Sequence, residues 1–207
     1  MDTKDHIVEG AAALFFKKGI RSVTMNEVAE ALGISKRTLY EHFSNKDELL
    51  ARCINDFHRR NLQARDEIFE TSPNLLVAMH RITRRAVTMI QELHPGLSDD
   101  LRRFHPAVFK STVIPLQKEG LEYNRQMIES GIHAGYFLRD IDPELSSILL
   151  DAQLEMINDP GLLPPDRFAR VDAFQHIIST FLRGIATEKG LKEIDVLFGP
   201  KSKPIRR

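Results

Sequence analysis

A helix start and a glycine turn lie close together in residues 24–46, which read TMNEVAEALGISKRTLYEHFSNK. Thr24 and Glu27 have the S/T-x-x-E spacing of a capping box, in which two side chains accept hydrogen bonds from free backbone N–H groups at a helix start. Gly33 follows where the chain must turn sharply, and Ser35 is suited to cap the next helix. The spacing predicts two short helices joined by a three-residue turn.

The second helix of this pair has an apolar side and an exposed side. Leu39 and Phe43 are four residues apart, so they share one helix face and are expected to be buried. Lys36, Arg37 and Tyr40 then point outward, where a major groove could receive them. A hairpin inside a helical bundle is the alternative, but it does not require two cations and an aromatic residue on its exposed face. We therefore interpret the pair as a helix-turn-helix DNA reader.

The composition of the whole chain indicates a globular protein. Its 207 residues, 42% of them hydrophobic, suffice for a sizeable core. The start lacks a secretory pattern, and no apolar run approaches the roughly 18 residues of a membrane span, so we expect a cytoplasmic location and no membrane partner. The single cysteine, Cys53, cannot form an intrachain disulfide, and we expect it to serve packing.

The charge balance restricts how the chain could bind DNA. Lys plus Arg and Asp plus Glu both number 29, and a net charge of zero argues against binding by bulk charge. Between residues 17 and 46, six cations stand against only Glu27, Glu30 and Glu41. Binding is therefore expected to depend on a few placed side chains and on a second copy of the reader.

Helical periodicity continues on both sides of this segment. A first helix is expected from about Lys4 to Lys18, which completes a three-helix head, and Ser44 or Asn45 can cap the helix that leads into the body. Pro106 and Pro115 predict a break or kink further along. No alternating strand pattern occurs, so the sequence predicts an all-α protein.

The last predicted helix, over about 166–188, carries more apolar residues than one buried helix face requires. Helices predicted over 143–157 and about 166–188 could form a self-complementary four-helix interface between two copies, although the last helix could instead be the central core helix. The tail from Gly199 is expected to be a disordered basic end. Its cations are Lys201, Lys203, Arg206 and Arg207.

These motifs closely resemble the tetracycline-repressor (TetR) family of bacterial transcriptional regulators. The matching positions are Gly19 and residues 24–29, 32–35, 38–40, 42–43 and 46–49, with a weaker match at 131–137. The resemblance implies about nine helices. It implies a helix-turn-helix DNA-binding domain in residues 1–46, a ligand-binding and dimerisation domain in 47–190 and a C-terminal tail in 191–207. It also implies a homodimer on a palindromic double-stranded DNA operator, released by an unknown small-molecule effector.

Hydrogen-bonding chemistry suggests roles for individual side chains at the matching positions. Lys36 and Arg37 can reach base edges, with Arg best suited to the O6/N7 pair of guanine, and Tyr40 can touch a thymine methyl or a phosphate. Glu41 lies four residues after Arg37, and we hypothesise that it orients Arg37; an ordinary exposed pair is the alternative. Many family members have a small residue in place of Arg37. The predicted DNA-binding residues are Thr24, Ser35, Lys36, Arg37, Thr38, Tyr40, His42 and Lys46.

Enzymatic chemistry finds no support in the sequence. The chain contains no G-x-S-x-G, P-loop, H-E-x-x-H or C-x-x-C motif, and its eight histidines lack metal-ligand spacing, so we expect no enzyme activity, cofactor or metal. A DNA-binding regulator whose body senses a protein partner, or nothing, is the alternative to a small-molecule sensor. Six residues lie on predicted helices that resemble the family's pocket walls, although helical Met and Phe side chains usually belong to the core. They are Met79, Met89, Phe104, Tyr123, Met127 and Met156.

Overall fold

The computed structural model describes residues 2–199 of the chain, and this range is almost entirely helical. Its helices are α1 (Thr3–Lys18), α2 (Met25–Ala31), α3 (Lys36–His42), α4 (Lys46–Glu70), α5 (Leu75–Glu92), α6 (Leu97–Phe104), α7 (Pro106–Val108), α8 (Ile114–His133), α9 (Pro143–Glu155), α10 (Arg170–Ile185) and α11 (Glu188–Phe198). In the described range the only β pairing is an isolated antiparallel bridge between Phe137 and Ala186. The predicted all-α fold is confirmed. The tail cations Lys201, Lys203, Arg206 and Arg207 lie outside the described residues.

The chain divides into two compact units. The first unit comprises Met1–Asp66 and Gln91–Glu119, and the second comprises Glu67–Ile90 and Gly120–Arg207. The first unit therefore contains the three-helix head, most of α4 and the whole of α6. A functional boundary after residue 46 remains a prediction.

The first unit is built around one apolar core to which α1, α2, α3 and α4 all contribute. Phe15, Leu39 and Leu49 are fully buried in it, and Leu101 from α6 joins the same cluster. Cys53 also lies there, with its Sγ 3.4 Å from the carbonyl oxygen of Val8. Burial, together with the charge of nearby Asp56, raises the pKa of the Cys53 thiol to about 12. The thiol thus stays protonated at neutral pH and serves packing.

Residues before and within α6 are bound to the head by two hydrogen bonds that backbone N–H groups donate. The N–H of His94 donates to the carbonyl oxygen of Phe16 over 2.7 Å. The N–H of Arg21, in the turn after α1, donates to Oδ2 of Asp100 over 3.0 Å. These contacts join parts of the chain that are some eighty residues apart in sequence, and no local pattern could have indicated them.

The predicted break near the two prolines has a clear form. Pro106 stands at the start of α7, where its missing N–H costs nothing. The next residues, Phe109–Val113, form a π-helical turn that leads directly into α8. Pro115 lacks an N–H and would clash with the carbonyl four residues before it in a regular α-helix, so the wider turn relieves this conflict.

The second unit ends differently from the sequence prediction. The expectation of a last helix over about 166–188 is wrong, because α10 stops at Ile185 and α11 follows. Thr187 separates the two helices in an extended conformation, and its Oγ1 accepts a hydrogen bond from the N–H of Gly190 over 3.1 Å. This cap starts α11, and the buried Ile194 anchors the helix in the core of the second unit.

Candidate nucleic-acid interface

The capping box at the start of α2 is present as predicted. Thr24 Oγ1 accepts from the N–H of Glu27 over 3.2 Å, and the N–H of Thr24 donates to Oε2 of Glu27 over 2.6 Å. The hydrogen bonds from Thr24, backbone first and then side chain, lower the pKa of the Glu27 carboxyl. Glu27 is thus ionised at neutral pH, and its negative charge interacts favourably with the positive end of the α2 helix dipole.

The turn between α2 and α3 depends on Gly33. Its φ of 63° lies in the left-handed region that favours glycine. Directly after it, the N–H of Ile34 donates to the carbonyl oxygen of Ala29 over 3.0 Å. Ser35 Oγ then accepts from the N–H of Thr38 over 3.0 Å and caps α3. Local hydrogen bonds therefore fix the angle at which α3 leaves α2.

The two sides of α3 differ as the sequence predicted. Leu39 is fully buried and Phe43, at the end of α3, is 1% exposed, so both belong to the core. Lys36, Arg37 and Tyr40 are exposed, and 49% of the Tyr40 surface is accessible. A surface of two cations and one tyrosine is therefore available to a macromolecular partner.

Arg37 is paired with Glu41 on this exposed side. Its Nε donates to Oε1 of Glu41 over 2.9 Å, and the two side chains are 89% and 57% exposed. An exposed pair of this kind contributes little to stability. The pair nevertheless occupies Nε of Arg37. The two terminal nitrogens, which form the end of the planar guanidinium, remain available as hydrogen-bond donors to a partner.

Lys46 has a partner that the sequence did not indicate. Its Nζ donates to the carbonyl oxygen of Ile20 over 2.6 Å and lies 5.6 Å from the centroid of the Phe15 ring. Partial burial lowers the pKa of the Lys46 ammonium, although Asp100 and Asp47 oppose this effect. The side chain thus ties the start of α4 to the turn after α1.

The predicted DNA-binding residues fall on three neighbouring parts of the first unit. Thr24 stands at the N-terminus of α2, Lys46 begins α4, and the other six lie on α3 or at its cap. Thr38 and His42 are half-buried and Ser35 is exposed. These six are Ser35, Lys36, Arg37, Thr38, Tyr40 and His42.

A cleft of about 410 Å³ lies in the second unit. Two of the six predicted pocket residues, Tyr123 and Met127, line it. The full lining is Phe69, Ser72, Asn74, Leu75, Tyr123, Gln126, Met127 and Ser130. Sequence reasoning missed the contribution of the turn between α4 and α5, because its residues carry signals for a helix start and no ligand-binding motif.

The remaining four predicted pocket residues lie elsewhere. Met79 packs against the core of the second unit, and Met89 is half-buried on α5. Phe104 belongs to the first unit, where it is 49% exposed and its ring centroid lies 5.0 Å from the guanidinium carbon of Arg21. Met156 is 39% exposed in a 3₁₀ turn after α9. The structure does not bring these four into the cleft.

Residues 2–199 contain neither a membrane-spanning helix nor a cluster of metal-ligating side chains. Over residues 2–199, none of the helices has the length and apolar character needed to cross a membrane. Within the same range, no three His, Cys, Asp or Glu side chains come together as a metal site would require.

Comparison with known proteins identifies relatives of the head and of the whole fold. Residues 7–53 match the family model described as bacterial regulatory proteins, tetR family. The regulator YvaF of Bacillus subtilis is 26% identical over 187 residues, which span 85% of this chain and 92% of YvaF. The transcriptional repressor KstR2 of Mycobacterium tuberculosis is 24% identical over 145 residues, or 69% of this chain and 72% of KstR2.

A solved structure extends the likeness to the fold of nearly the whole chain. The TetR-family regulator from Marinobacter aquaeolei VT8 superposes with a TM-score of 0.72 at 20% identity, and the match covers 96% of this chain and 98% of that one. The family and these relatives are transcriptional regulators rather than enzymes.

Proposed function

Because the chain is a member of the TetR family of DNA-binding transcriptional regulators, we propose that it represses transcription as a homodimer on a palindromic operator. The observation that carries this proposal is the exposed side of α3, which presents Lys36, Arg37 and Tyr40 on a head that matches the family. The bacterial DNA that such a protein reads lies in the cytoplasm, so we place its action there.

In this proposal α3 enters the major groove, and side chains at the flanking positions bind the sugar-phosphate backbone of the DNA. Lys36 and Arg37 contact base edges, and the two terminal nitrogens of Arg37 face the O6/N7 pair of a guanine because Nε is held by Glu41. Tyr40 contacts a thymine methyl or a phosphate. Thr24, His42 and Lys46 contact phosphates and set the register of the head, and Ser35 and Thr38 complete the set of DNA-binding positions.

An apolar face on α9 supports the homodimer. Leu145, Ile148 and Leu149 are 55%, 47% and 51% exposed, and their spacing places them on one side of the helix. Three large apolar side chains together in solvent are typical of an interaction surface. Since α9 packs against α10, two copies could form a four-helix interface from these two helices.

A small-molecule effector is proposed for the second unit. KstR2, one of the relatives, is described as a ketosteroid transcriptional regulator, and the cleft on α8 offers this chain a site of suitable size. The alternative is a body that senses a protein partner or has no ligand. Testing operator release by a metabolite library, and by protein fractions, separates these cases.

The DNA-reading proposal is tested by selecting bound sequences from random double-stranded DNA. We expect a palindrome whose half-sites are roughly one helical turn, or about 10 base pairs, apart. Arg37→Ala should select the same palindrome with relaxed preference at one base position, at a cost of about 1–3 kcal/mol for the preferred site. A selection that yields no motif, or a single half-site, would contradict the proposal.

A further inference from the structure

The cleft in the second unit is formed by two parts of the chain. Phe69, near the end of α4, and the residues that follow it form one side. The other side is a single face of α8, because Tyr123, Gln126, Met127 and Ser130 follow the i, i+3, i+4, i+7 spacing of one helix face. Its volume of about 410 Å³ lies in the range of small-molecule sites.

The apolar part of the cleft suits a flat ring system. The rings of Phe69 and Tyr123 meet edge to face, with centroids 6.2 Å apart and an interplanar angle of 72°. Leu75 and Met127 complete the apolar lining, and the flexible thioether of Met127 can adapt to an aromatic or alicyclic ligand. A ligand body without polar groups therefore finds complementary surface here.

The polar part of the cleft offers hydrogen bonds and no charge. None of the lining residues is acidic, basic or histidine. Asn74 is already used, since its Oδ1 accepts from the N–H of Val77 and its Nδ2 donates to Glu193. Gln126 donates its amide to Glu122, which leaves its carbonyl oxygen as an acceptor. The Ser130 hydroxyl makes no hydrogen bond to any of residues 2–199.

The charged side chains beside the cleft are committed to other partners. Arg125, on α8, lies between Glu122 and Glu129 and binds both. Arg81 donates from Nη1 to the carbonyl oxygen of Thr71 over 3.1 Å and to Oγ of Ser72 over 3.2 Å. A charged ligand group would gain no counter-charge from the lining, and any water that it loses against the apolar side chains is an uncompensated cost.

We propose that this cleft binds an uncharged molecule with a flat apolar ring system and at least one hydrogen-bonding oxygen, and that such a molecule is the effector. The ligand oxygen would be a hydroxyl that accepts a hydrogen bond from the Ser130 hydroxyl and donates one to the Gln126 carbonyl oxygen. The ring would lie against Phe69, Tyr123 and Met127. The statement about the effector rests on the proposed function, whereas the statement about ligand class rests on the cleft alone.

Three probes that share one ring skeleton test the ligand class: neutral 4-phenylphenol, anionic biphenyl-4-carboxylate and cationic 4-(aminomethyl)biphenyl. The chain has six methionines, so methyl-¹³C methionine NMR gives few signals. We expect 4-phenylphenol to shift the Met127 methyl signal saturably and to leave Met25, in the head, unchanged. The two charged probes should bind at least roughly ten-fold more weakly.

A pair of matched substitutions locates the binding. Ser130→Phe should fill the cleft and abolish the shift of Met127 by 4-phenylphenol. Ser111→Phe, at an exposed serine outside the cleft, should leave the shift intact. Circular dichroism and operator affinity establish that both variants are folded. A charged probe that binds as tightly as the neutral one, or an unchanged Met127 shift in folded Ser130→Phe, would overturn the proposed ligand class.

Operator affinity, measured with and without 4-phenylphenol, separates the two statements. Weaker operator binding in the wild-type protein, but not in Ser130→Phe, supports the cleft as the effector site. A saturable Met127 shift with unchanged operator affinity would leave the ligand class standing and refute the effector role. Normal operator binding with no Met127 shift by 4-phenylphenol would refute the cleft as a site for this class of ligand and leave the DNA-reading function intact.

Discussion

At the scale of single residues, Lys46 has a structural task in the fold and, in the proposed function, a second task in DNA binding. Its ammonium donates to the carbonyl oxygen of Ile20 over 2.6 Å, which holds the start of α4 against the turn after α1. An ammonium carries three N–H donors. One can remain on Ile20 while another reaches a phosphate at the N-terminus of α4, where the helix dipole also favours an anion.

Replacement of Lys46 by two different residues should separate these tasks. Lys46→Ala removes both, so we expect weaker binding to all DNA sequences, a salt slope shallower by about one unit, and a head destabilised by about 1 kcal/mol. Lys46→Gln removes the charge but keeps an N–H donor for Ile20. It should reproduce the change in salt slope with a smaller loss of stability. Salt titrations of operator affinity and thermal unfolding measure the two effects.

An unchanged salt slope in both variants would show that Lys46 has only a structural role.

Local spacing in the sequence predicts some side-chain environments of the head and not others. Burial of Leu39 and exposure of Tyr40 follow from local helical spacing, and both are confirmed. The contacts of Lys46 with Ile20 and of Asp100 with Arg21 join distant parts of the chain, so they depend on a tertiary fold that spacing does not encode.

At the scale of elements, the attachment of α11 depends on a close backbone approach. The N–H of Thr187 donates to the carbonyl oxygen of Tyr136 over 2.9 Å. The Thr187 hydroxyl lies 2.8 Å from the carbonyl oxygen of Gly135 and 3.2 Å from that of Tyr136. A Cβ atom at Gly190 would lie 2.0 Å from the Tyr136 oxygen. Only glycine therefore permits α11 to start where it does, and backbone cannot move aside as a side-chain tip could.

Gly190→Ala should destabilise the second unit by about 1–3 kcal/mol, because the added methyl group forces α11 away from Tyr136. Gly184→Ala is the matched control. Gly184 is also helical, and a Cβ there meets no atom within 4 Å. The control should be neutral or stabilising by up to about 1 kcal/mol, since alanine has the higher helix propensity. Denaturant unfolding compares the two, and equal stabilities would refute the close approach as the cause.

The elements that were predicted correctly are those with local signals at both ends. The capping box at Thr24, the glycine turn at Gly33 and the cap at Ser35 define α2 and α3 without help from the rest of the fold. The break near Pro115 was predicted, but its π-helical form was not, because several backbone arrangements can accommodate a proline. The separate α11 was missed because apolar periodicity obscured the Thr187 cap.

At the scale of the whole molecule, a net charge of zero over the chain argues against tight DNA binding by a single copy. Two linked heads bind more tightly than one, because the second contact becomes intramolecular. Dimerisation is therefore a condition for operator binding in this proposal. The apolar face of α9, with Leu145, Ile148 and Leu149, is the surface that would provide it.

Ile148→Glu tests this link between assembly and DNA binding. A buried carboxylate on each side of a two-fold interface would be repelled by its symmetry mate and lose hydration, so we expect a monomer by light scattering. Operator affinity should fall by roughly 100-fold or more, while the head stays folded. Val196→Glu is the control, since Val196 on α11 is 84% exposed and lies outside the proposed interface. A dimeric Ile148→Glu protein, or a monomer with full operator affinity, would contradict the link.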